Sequence, residues 1–132
     1  MVGLFGRSKA PLEKKVKERK KELRKLVKQK QYEKALKVGN EILEKNPYDQ
    51  DILFIVGGIY YMENKLKTAI SHFDRSLEIA LFDTELWLLK ANAHFRLGEL
   101  SQVKQCCEKI QEIDPKNKAV KELLEKIENT TK

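Results

Sequence analysis

The chain has 132 residues, of which 41% are hydrophobic and 36% are charged. This length suits one domain with a modest core, and the composition excludes a membrane-embedded protein and a disulfide scaffold. The formal net charge of +7 is uneven, because residues 1–34 carry 13 Lys and Arg against four Asp and Glu and the remainder is slightly acidic.

Residues 1–10 contain the short apolar hook Val2, Leu4 and Phe5, which precedes a run of basic residues. We predict that this segment is flexible, as chain termini commonly are. An alternative is attachment of the hook and the basic run to an anionic membrane surface. The apolar piece is too short for a secretory signal, so we expect a cytoplasmic protein.

The folded domain is predicted to span residues 11–132, and its first helix carries a basic stripe. The stripe follows helical spacing and comprises Lys17, Lys20, Lys21, Arg24 and Lys28. A charge run is usually a solvated face. Binding of nucleic acid or a ribosome by this basic helix is an alternative, because phosphates bind Lys and Arg without sequence reading. No aromatic residue lies between Phe5 and Tyr32 to stack on bases, which disfavours it.

A step of 34 residues brings similar residues into register along the chain. Leu53 maps to Trp87 and Gly57 to Ala91, and proline recurs at 47 and 115. The spacing gives three units, at 16–49, 50–83 and 84–117. Each unit is predicted to form two helices, with turns at Lys30-Gln31, Asn64-Lys65 and Gly98-Glu99.

Local signals mark where these helices end and begin. Asn64 and Gly98 suit the left-handed conformation that ends many helices. Asp49 and Asp83 stand where a side chain could cap the first helix of the following unit. Residues 118–129 are predicted to form one more helix with an apolar stripe and a polar back, which is typical of the cap that ends a stack of repeats. The stripe comprises Val120, Leu123, Leu124 and Ile127.

The three units resemble the tetratricopeptide repeat family, whose 34-residue unit is a helix–turn–helix. The third unit matches the family pattern at Trp87, Ala91, Ala93 and Pro115. The second matches at Leu53, Val56, Gly57, Tyr60, Ala69, Phe73 and Ser76, and the first at Tyr32, Ala35 and Pro47. The resemblance implies an all-α fold, a right-handed superhelical solenoid of antiparallel helix pairs.

In that family the first helices of the units line a concave groove that binds partners. The resemblance places a basic wall there, which comprises Lys17, Lys20, Lys21 and Arg24. It also places there an apolar strip with Asn92 beside it, and the strip comprises Phe54, Ile55, Tyr61, Met62, Leu88, Leu89 and Phe95.

An exposed apolar strip of this size usually marks an interface. We therefore expect an adaptor or scaffold that binds a protein or peptide partner, amphipathic and with an acidic end. The alternative occupants of the strip are the chain's own tail and a second copy of the chain.

Some members of the family hold the acidic C-terminal tail of a chaperone with a carboxylate clamp. The resemblance places the clamp at five positions, which here are Lys20, Arg24, Ile55, Glu85 and Leu89. Lys20 matches outright and Arg24 is a basic substitute, but Glu85 would repel a carboxylate. We therefore do not expect a chaperone tail bound in that way.

The sequence contains no motif of nucleotide binding or of nucleophilic or metal-assisted catalysis. Cys106 and Cys107 are adjacent, so a disulfide between them is unfavourable, and no further ligands stand at zinc-like spacing. His72 and His94 fall within apolar helical patterns and are predicted to pack. We therefore expect no enzyme activity, metal, cofactor or small-molecule substrate.

Overall fold

The computed structural model describes the backbone of residues 2–131 and the side chains of residues 13–130. These residues form seven α-helices and no strand. The helices are α1 (Val2–Lys28), α2 (Tyr32–Lys45), α3 (Gln50–Met62), α4 (Leu66–Ile79), α5 (Thr84–Arg96), α6 (Leu100–Ile113) and α7 (Lys118–Thr131). Short turns join α1 to α2, α3 to α4 and α5 to α6, so the predicted all-α solenoid of helix pairs is confirmed.

The first helix is longer than the sequence indicates, because α1 begins at Val2. Residues 2–10, for which we predict a flexible segment, are thus helical in the structure. The side chains of the hook lie outside the described residues, so both the flexibility and the membrane role of this segment stay predictions.

Three residues with positive φ end the first helices of the pairs. The angles are 59° at Lys30, 63° at Asn64 and 76° at Gly98. In each turn the following amide donates to the carbonyl five residues earlier, as Gln31 N does to Leu26 O at 2.9 Å. The prediction for Asn64 and Gly98 is confirmed, and Lys30 adopts the same conformation although its side chain does not favour it.

Short polar side chains fix where the following helices begin. Asp49 Oδ1 accepts a hydrogen bond from Ile52 N at 3.3 Å, and Asp83 Oδ1 accepts one from Leu86 N at 3.1 Å. Both aspartates therefore cap their helices, as predicted from the sequence. Asn117 does the same ahead of α7, where its Oδ1 accepts from Val120 N at 3.1 Å.

The core is divided into clusters that follow the order of the helices. The first joins α1, α2 and α3 around Leu23, Val38 and Val56. Another joins α4 to α5 through Phe73 and Leu86. The last joins α5, α6 and α7, and its buried side chains are Ala91, Val103, Cys106, Cys107, Ile110, Val120, Leu123 and Ile127.

Glycine allows α3 to lie very close to both of its neighbours. A methyl group built on Gly57 would lie 2.8 Å from Phe73 Cε1 in α4, and one on Gly39 in α2 would lie 2.5 Å from Val56 Cγ2 in α3. Both distances are below normal carbon contacts, so no larger residue fits without movement. Gly58 differs, because a methyl group there would meet no atom within 4 Å.

The apolar residues of α3 serve this packing. α3 has 13 residues, and among the described residues no helix is both long and apolar enough to cross a bilayer. Ile52, Leu53, Val56 and Ile59 are fully or almost fully buried. The apolar content of α3 is thus explained by contacts with α2 on one side and α4 on the other.

The two adjacent glycines of α3 provide a matched test of this packing. We expect Gly57→Ala to lower the free energy of unfolding by about 1–3 kcal/mol, because the added methyl group must displace Phe73. Gly58→Ala should raise it by about 0.5–1 kcal/mol, because alanine favours the helix and the space is free. Urea denaturation followed by circular dichroism measures both, and equal effects would contradict the close approach at Gly57.

A second test concerns α7. Deletion of residues 118–132 removes Val120, Leu123 and Ile127 and leaves the apolar face of α6 uncovered, so we expect lower stability and aggregation. Deletion of residues 129–132 alone keeps these three side chains and should change little. Urea midpoints and sedimentation velocity report both effects. A long deletion that melts like the full chain and stays monomeric would show that α7 is no cap.

Candidate functional site

The predicted groove residues lie on α1, α3 and α5, the first helices of the three pairs. The basic wall lies on α1, where the side chains of Lys17, Lys21 and Arg24 are exposed and Lys20 is half-buried. The apolar strip lies on α3 and α5. Each helix thus contributes one kind of surface, and the two kinds meet where α1 approaches the start of α3.

Acidic residues at the start of α3 already pair with part of the basic wall. Lys20 Nζ lies 2.5 Å from Asp49 Oδ2, and the exposed fractions of the two side chains are 24% and 7%. Arg24 Nη2 lies 3.9 Å from Asp51 Oδ2, with both side chains exposed. Lys17 and Lys21 are therefore the residues of the basic wall whose charges are most accessible to a partner.

The apolar strip is less exposed than the sequence suggests. Met62 is 57% exposed, whereas the other members are half-buried. Phe54, Tyr61 and Leu89 pack against the cluster that joins α4 to α5. Leu88 and Phe95 pack against the cluster that includes α6 and α7, and Ile55 and the half-buried Asn92 complete the face.

The strip residues of α3 and α5 pack against core clusters that include α4, α6 and α7, so part of each side chain is covered. The apolar strip therefore supports the stacking of the pairs and also presents the uncovered part of each side chain.

A cation lies over one aromatic ring of the strip. The guanidinium carbon of Arg96 is 4.4 Å from the centre of the Tyr61 ring, within the range of a cation–π interaction. Arg96 belongs to α5 and Tyr61 to α3. Helical spacing places Arg96 on the groove side of α5, but its contact with Tyr61 was not predicted, because two residues 35 positions apart carry no local signal of it.

A cavity of about 350 Å³ lies where α1, α3, α4 and α5 meet. Its lining combines both surfaces, because Arg24 comes from the basic wall and Phe54 and Ile55 come from the apolar strip. Five further residues complete it, namely Gln50, Asp51, Ser76, Asp83 and Glu85. Of these five, Asp51 and Glu85 stand at groove positions that the repeat pattern predicts for α3 and α5, whereas Gln50, Ser76 and Asp83 were not expected in the site. Their position follows from how α5 stacks on α3, and no motif in the sequence reveals it.

The two thiols are poor candidates for chemistry. Cys106 and Cys107 are buried and reduced. Burial raises the pKa of Cys106 to about 11 and also raises the pKa of Cys107. Both are therefore protonated near neutral pH, and a protonated thiol is neither a nucleophile nor a metal ligand.

The two histidines have structural surroundings. Burial lowers the pKa of His72, whose ring centre lies 5.3 Å from that of Tyr60. His94 is buried, and its Nδ1 lies 3.1 Å from Glu99 Oε1. Within the described part of the chain, no group of three or more His, Cys, Asp or Glu is arranged to hold a metal ion.

Comparison with known sequences identifies a family. A family model described as tetratricopeptide repeat matches residues 60–127, which is just over half of the chain. The match covers the last three residues of α3, the helices α4 to α6 and most of α7, and it includes five of the seven residues of the apolar strip. A search of curated protein sequences gives no match.

Comparison with solved structures gives the same fold. The first TPR of Spaghetti (RPAP3), solved with the HSP90 peptide SRMEEVD, has a TM-score of 0.77 at 22% identity, over 89% of this chain and 94% of that chain. The Yersinia enterocolitica secretion chaperone SycD, solved with a peptide of the translocator YopD, has a TM-score of 0.79 at 16% identity, over 90% and 96%.

A third similar structure is the second TPR domain of human RPAP3 in complex with the HSP70 peptide SGPTIEEVD. Its TM-score is 0.73 at 19% identity, over 83% of this chain and 92% of that chain. At these identities the likeness establishes the shared fold.

Two ion pairs between α1 and α3 allow a matched measurement of how firmly the basic wall is held. Lys20→Met and Asp49→Asn, singly and together, form a double-mutant cycle in which asparagine retains the cap on α3. We expect a coupling of about 1–2 kcal/mol, because both side chains are largely shielded. The same cycle with Arg24→Met and Asp51→Asn should give about 0.5 kcal/mol or less, because that pair is exposed. Equal couplings in urea denaturation would contradict this ranking.

Proposed function

The chain belongs to the tetratricopeptide repeat family, and from this premise we propose that it is a protein-interaction module, an adaptor or scaffold and not an enzyme. One observation carries the proposal. The cavity among α1, α3, α4 and α5 opens onto the first helices and combines apolar and charged side chains. A site with an apolar wall and a few polar groups is typical of ligand recognition. Three proteins of the same fold are solved with peptides.

The proposal includes the division of the chain. We propose that residues 11–132 form a single domain, with repeats at 16–49, 50–83 and 84–117 and a capping helix at 118–129. Each repeat then contributes its first helix to the groove and its second helix to the back. In this division the groove consists of α1, α3 and α5, and α7 supports α6 from behind.

The partner is an amphipathic peptide or helix whose apolar anchors contact α3 and α5. Met62 offers the most exposed apolar surface of the strip, and the uncovered edges of Phe54 and Leu88 extend it. An acidic end of the partner would meet Lys17 and Lys21, because Lys20 and Arg24 already pair with acids of α3. Such charges speed association more than they add affinity. The setting that we propose for this interaction is the cytoplasm.

A chaperone tail held by a carboxylate clamp does not fit this groove. The HSP90 and HSP70 peptides of the similar structures end in acidic residues. In this chain Glu85 lines the cavity beside Asp51 and Asp83. A carboxylate brought there would be repelled by three like charges. The module therefore takes a partner of a different charge pattern.

Two sets of substitutions test the proposed binding mode on peptides selected from a displayed library by the wild-type chain. Replacing Phe54, Leu88 and Phe95 with serine should weaken binding by at least about 30-fold, because the loss of even one buried anchor commonly costs about 2 kcal/mol or more. Replacing Lys17 and Lys21 with glutamine should mainly slow association and flatten its salt dependence. Calorimetry and stopped-flow fluorescence measure the two effects.

Phe54, Leu88 and Phe95 are half-buried, so replacing them also removes packing contacts. A milder variant is therefore tested beside the triple replacement. Met62→Gln changes an exposed side chain and should weaken binding without loss of stability. The control is the pair Ile79→Ser and Leu81→Ser, which removes exposed apolar surface outside the strip and should leave affinity unchanged. Binding that survives both strip variants would refute the proposal. Binding of nucleic acid that is lost in the Lys17 and Lys21 variant alone would favour the alternative function.

A further inference from the structure

We propose that the cavity among α1, α3, α4 and α5 is a subsite for a cationic side chain, Arg or Lys, of the partner. This inference rests on the proposed function, because it assumes a peptide in the groove and specifies its chemistry. Four features of the cavity support it, namely its charge, an unused buried hydroxyl group, its apolar wall and its size.

The charge of the lining is negative. Three carboxylates, those of Asp51, Asp83 and Glu85, face one guanidinium, that of Arg24. The contact between Arg24 and Asp51 is long, at 3.9 Å, and their side chains are 55% and 69% exposed. An exposed pair at this distance is weak. Both carboxylate oxygens of Asp51 are therefore open to a stronger partner, and a cation that enters the cavity gains net attraction.

A buried hydroxyl group in the lining has no partner. Ser76 of α4 is fully buried, and its Oγ has no hydrogen-bond partner among the described residues. Buried hydroxyl groups are nearly always satisfied, so one without a partner requires an explanation. An ammonium or guanidinium group brings only donors, which match the acceptor lone pairs of a serine hydroxyl. A carboxylate could use the hydroxyl hydrogen, but it would have to lie among three like charges.

The apolar part of the lining suits the stem of a long basic side chain. Phe54 and Ile55 form one wall of the cavity. Lys and Arg bury their methylene groups along such surfaces while the charged group reaches polar partners. A volume of about 350 Å³ lies at the small end of ligand pockets, which suits one side chain better than a cofactor.

Helix stabilisation explains only part of this arrangement. Asp83 caps α5 through Oδ1, which leaves its second oxygen for other contacts. Asp51 and Glu85 lie in the first turns of α3 and α5, where negative charge is favourable. That role requires neither a cavity between the two helices nor an unpaired hydroxyl group behind them. The cationic subsite accounts for the carboxylates, the cavity and the unpaired hydroxyl group together.

The consequence for the partner is a defined order of charges. A basic residue inserts among the starts of α3 and α5, beside the apolar anchors, and an acidic segment continues toward Lys17 and Lys21 on α1. Such a peptide carries opposite charges at its two ends, and reversing its direction would bring like charges together. The groove therefore selects the direction of the peptide as well as its composition.

The first experiment tests the subsite with a small probe and needs no partner. Acetyl-arginine amide is titrated into the ¹⁵N-labelled chain, and the neutral acetyl-citrulline amide serves as the matched probe of the same shape. We expect amide shifts at residues 50–55 and 83–86 that saturate with at least about fivefold tighter binding for arginine. The shifts should weaken as salt is raised, because the lining charges are partly exposed.

Two triple variants, each of which replaces three carboxylates with neutral amides, complete this first experiment. Asp51→Asn, Asp83→Asn and Glu85→Gln together remove the negative charge, and asparagine caps a helix as well as aspartate does. The control carries Glu33→Gln, Glu78→Gln and Glu125→Gln, which change the net charge equally at exposed positions of α2, α4 and α7. The first variant should lose the arginine shifts and the control should keep them. If the triple variant does not fold, Asp51→Asn with Glu85→Gln makes the same comparison.

Equal binding of arginine and citrulline, or equal loss in both variants, would overturn the subsite. The second arm uses the library-selected peptides and replaces each of their basic residues with citrulline. One such replacement should weaken binding to the wild type about tenfold. It should leave binding unchanged in the variant that carries Asp51→Asn, Asp83→Asn and Glu85→Gln. Selected peptides that depend on no cation would overturn the subsite and leave the proposed function intact. A library that yields no binder, with arginine still bound, would overturn the proposed function and with it the role of the cavity as a peptide subsite, while showing that the cavity binds a cation.

Discussion

Between α2, α3 and α4 the helices lie so close that Gly39 and Gly57 cannot accept even a methyl group without movement of Val56 or Phe73. These two contacts hold α3 in position, and the placement of the proposed groove face follows from it. With α3 held, Asp49 and Asp51 at its start reach the basic residues of α1. The same helix then presents Phe54 and Ile55 to the cavity. Close packing of α3 against α2 and α4 thus determines which residues its remaining face presents.

The sequence predicts the helices and their ends well, because the relevant signals are local. A 34-residue spacing requires only that similar side chains recur. Asp49 and Asp83 act on amides three residues away, and Gly98 acts on its own backbone. Lys30 is a helix end that its own side chain does not predict. It takes the left-handed conformation because the second helix must turn back onto the first, although nothing in a lysine side chain indicates it.

The site is harder to predict from the sequence, because its details depend on how far each helix slides along the next one. Helical spacing shows that Phe54, Leu88 and Phe95 share a face. It does not show that packing against the core clusters leaves these side chains only partly exposed. The ion pair of Lys20 with Asp49 and the stacking of Arg96 on Tyr61 likewise join residues about 30 positions apart. Only the relative placement of whole helices makes these contacts visible.

Helices that are consecutive in sequence approach one another most extensively, and among these neighbours α6 and α7 approach least. Such an array has low contact order, so it folds quickly and opens from its ends more easily than from its middle. Amide hydrogen exchange should therefore be fastest in α7 and slowest around α3 and α4. A ligand that touches α1, α3 and α5 at once binds only the closed array, and it therefore couples the opening of one end to that of the other. Occupancy of the groove would in this way make a stack of separately weak units open more nearly as one body.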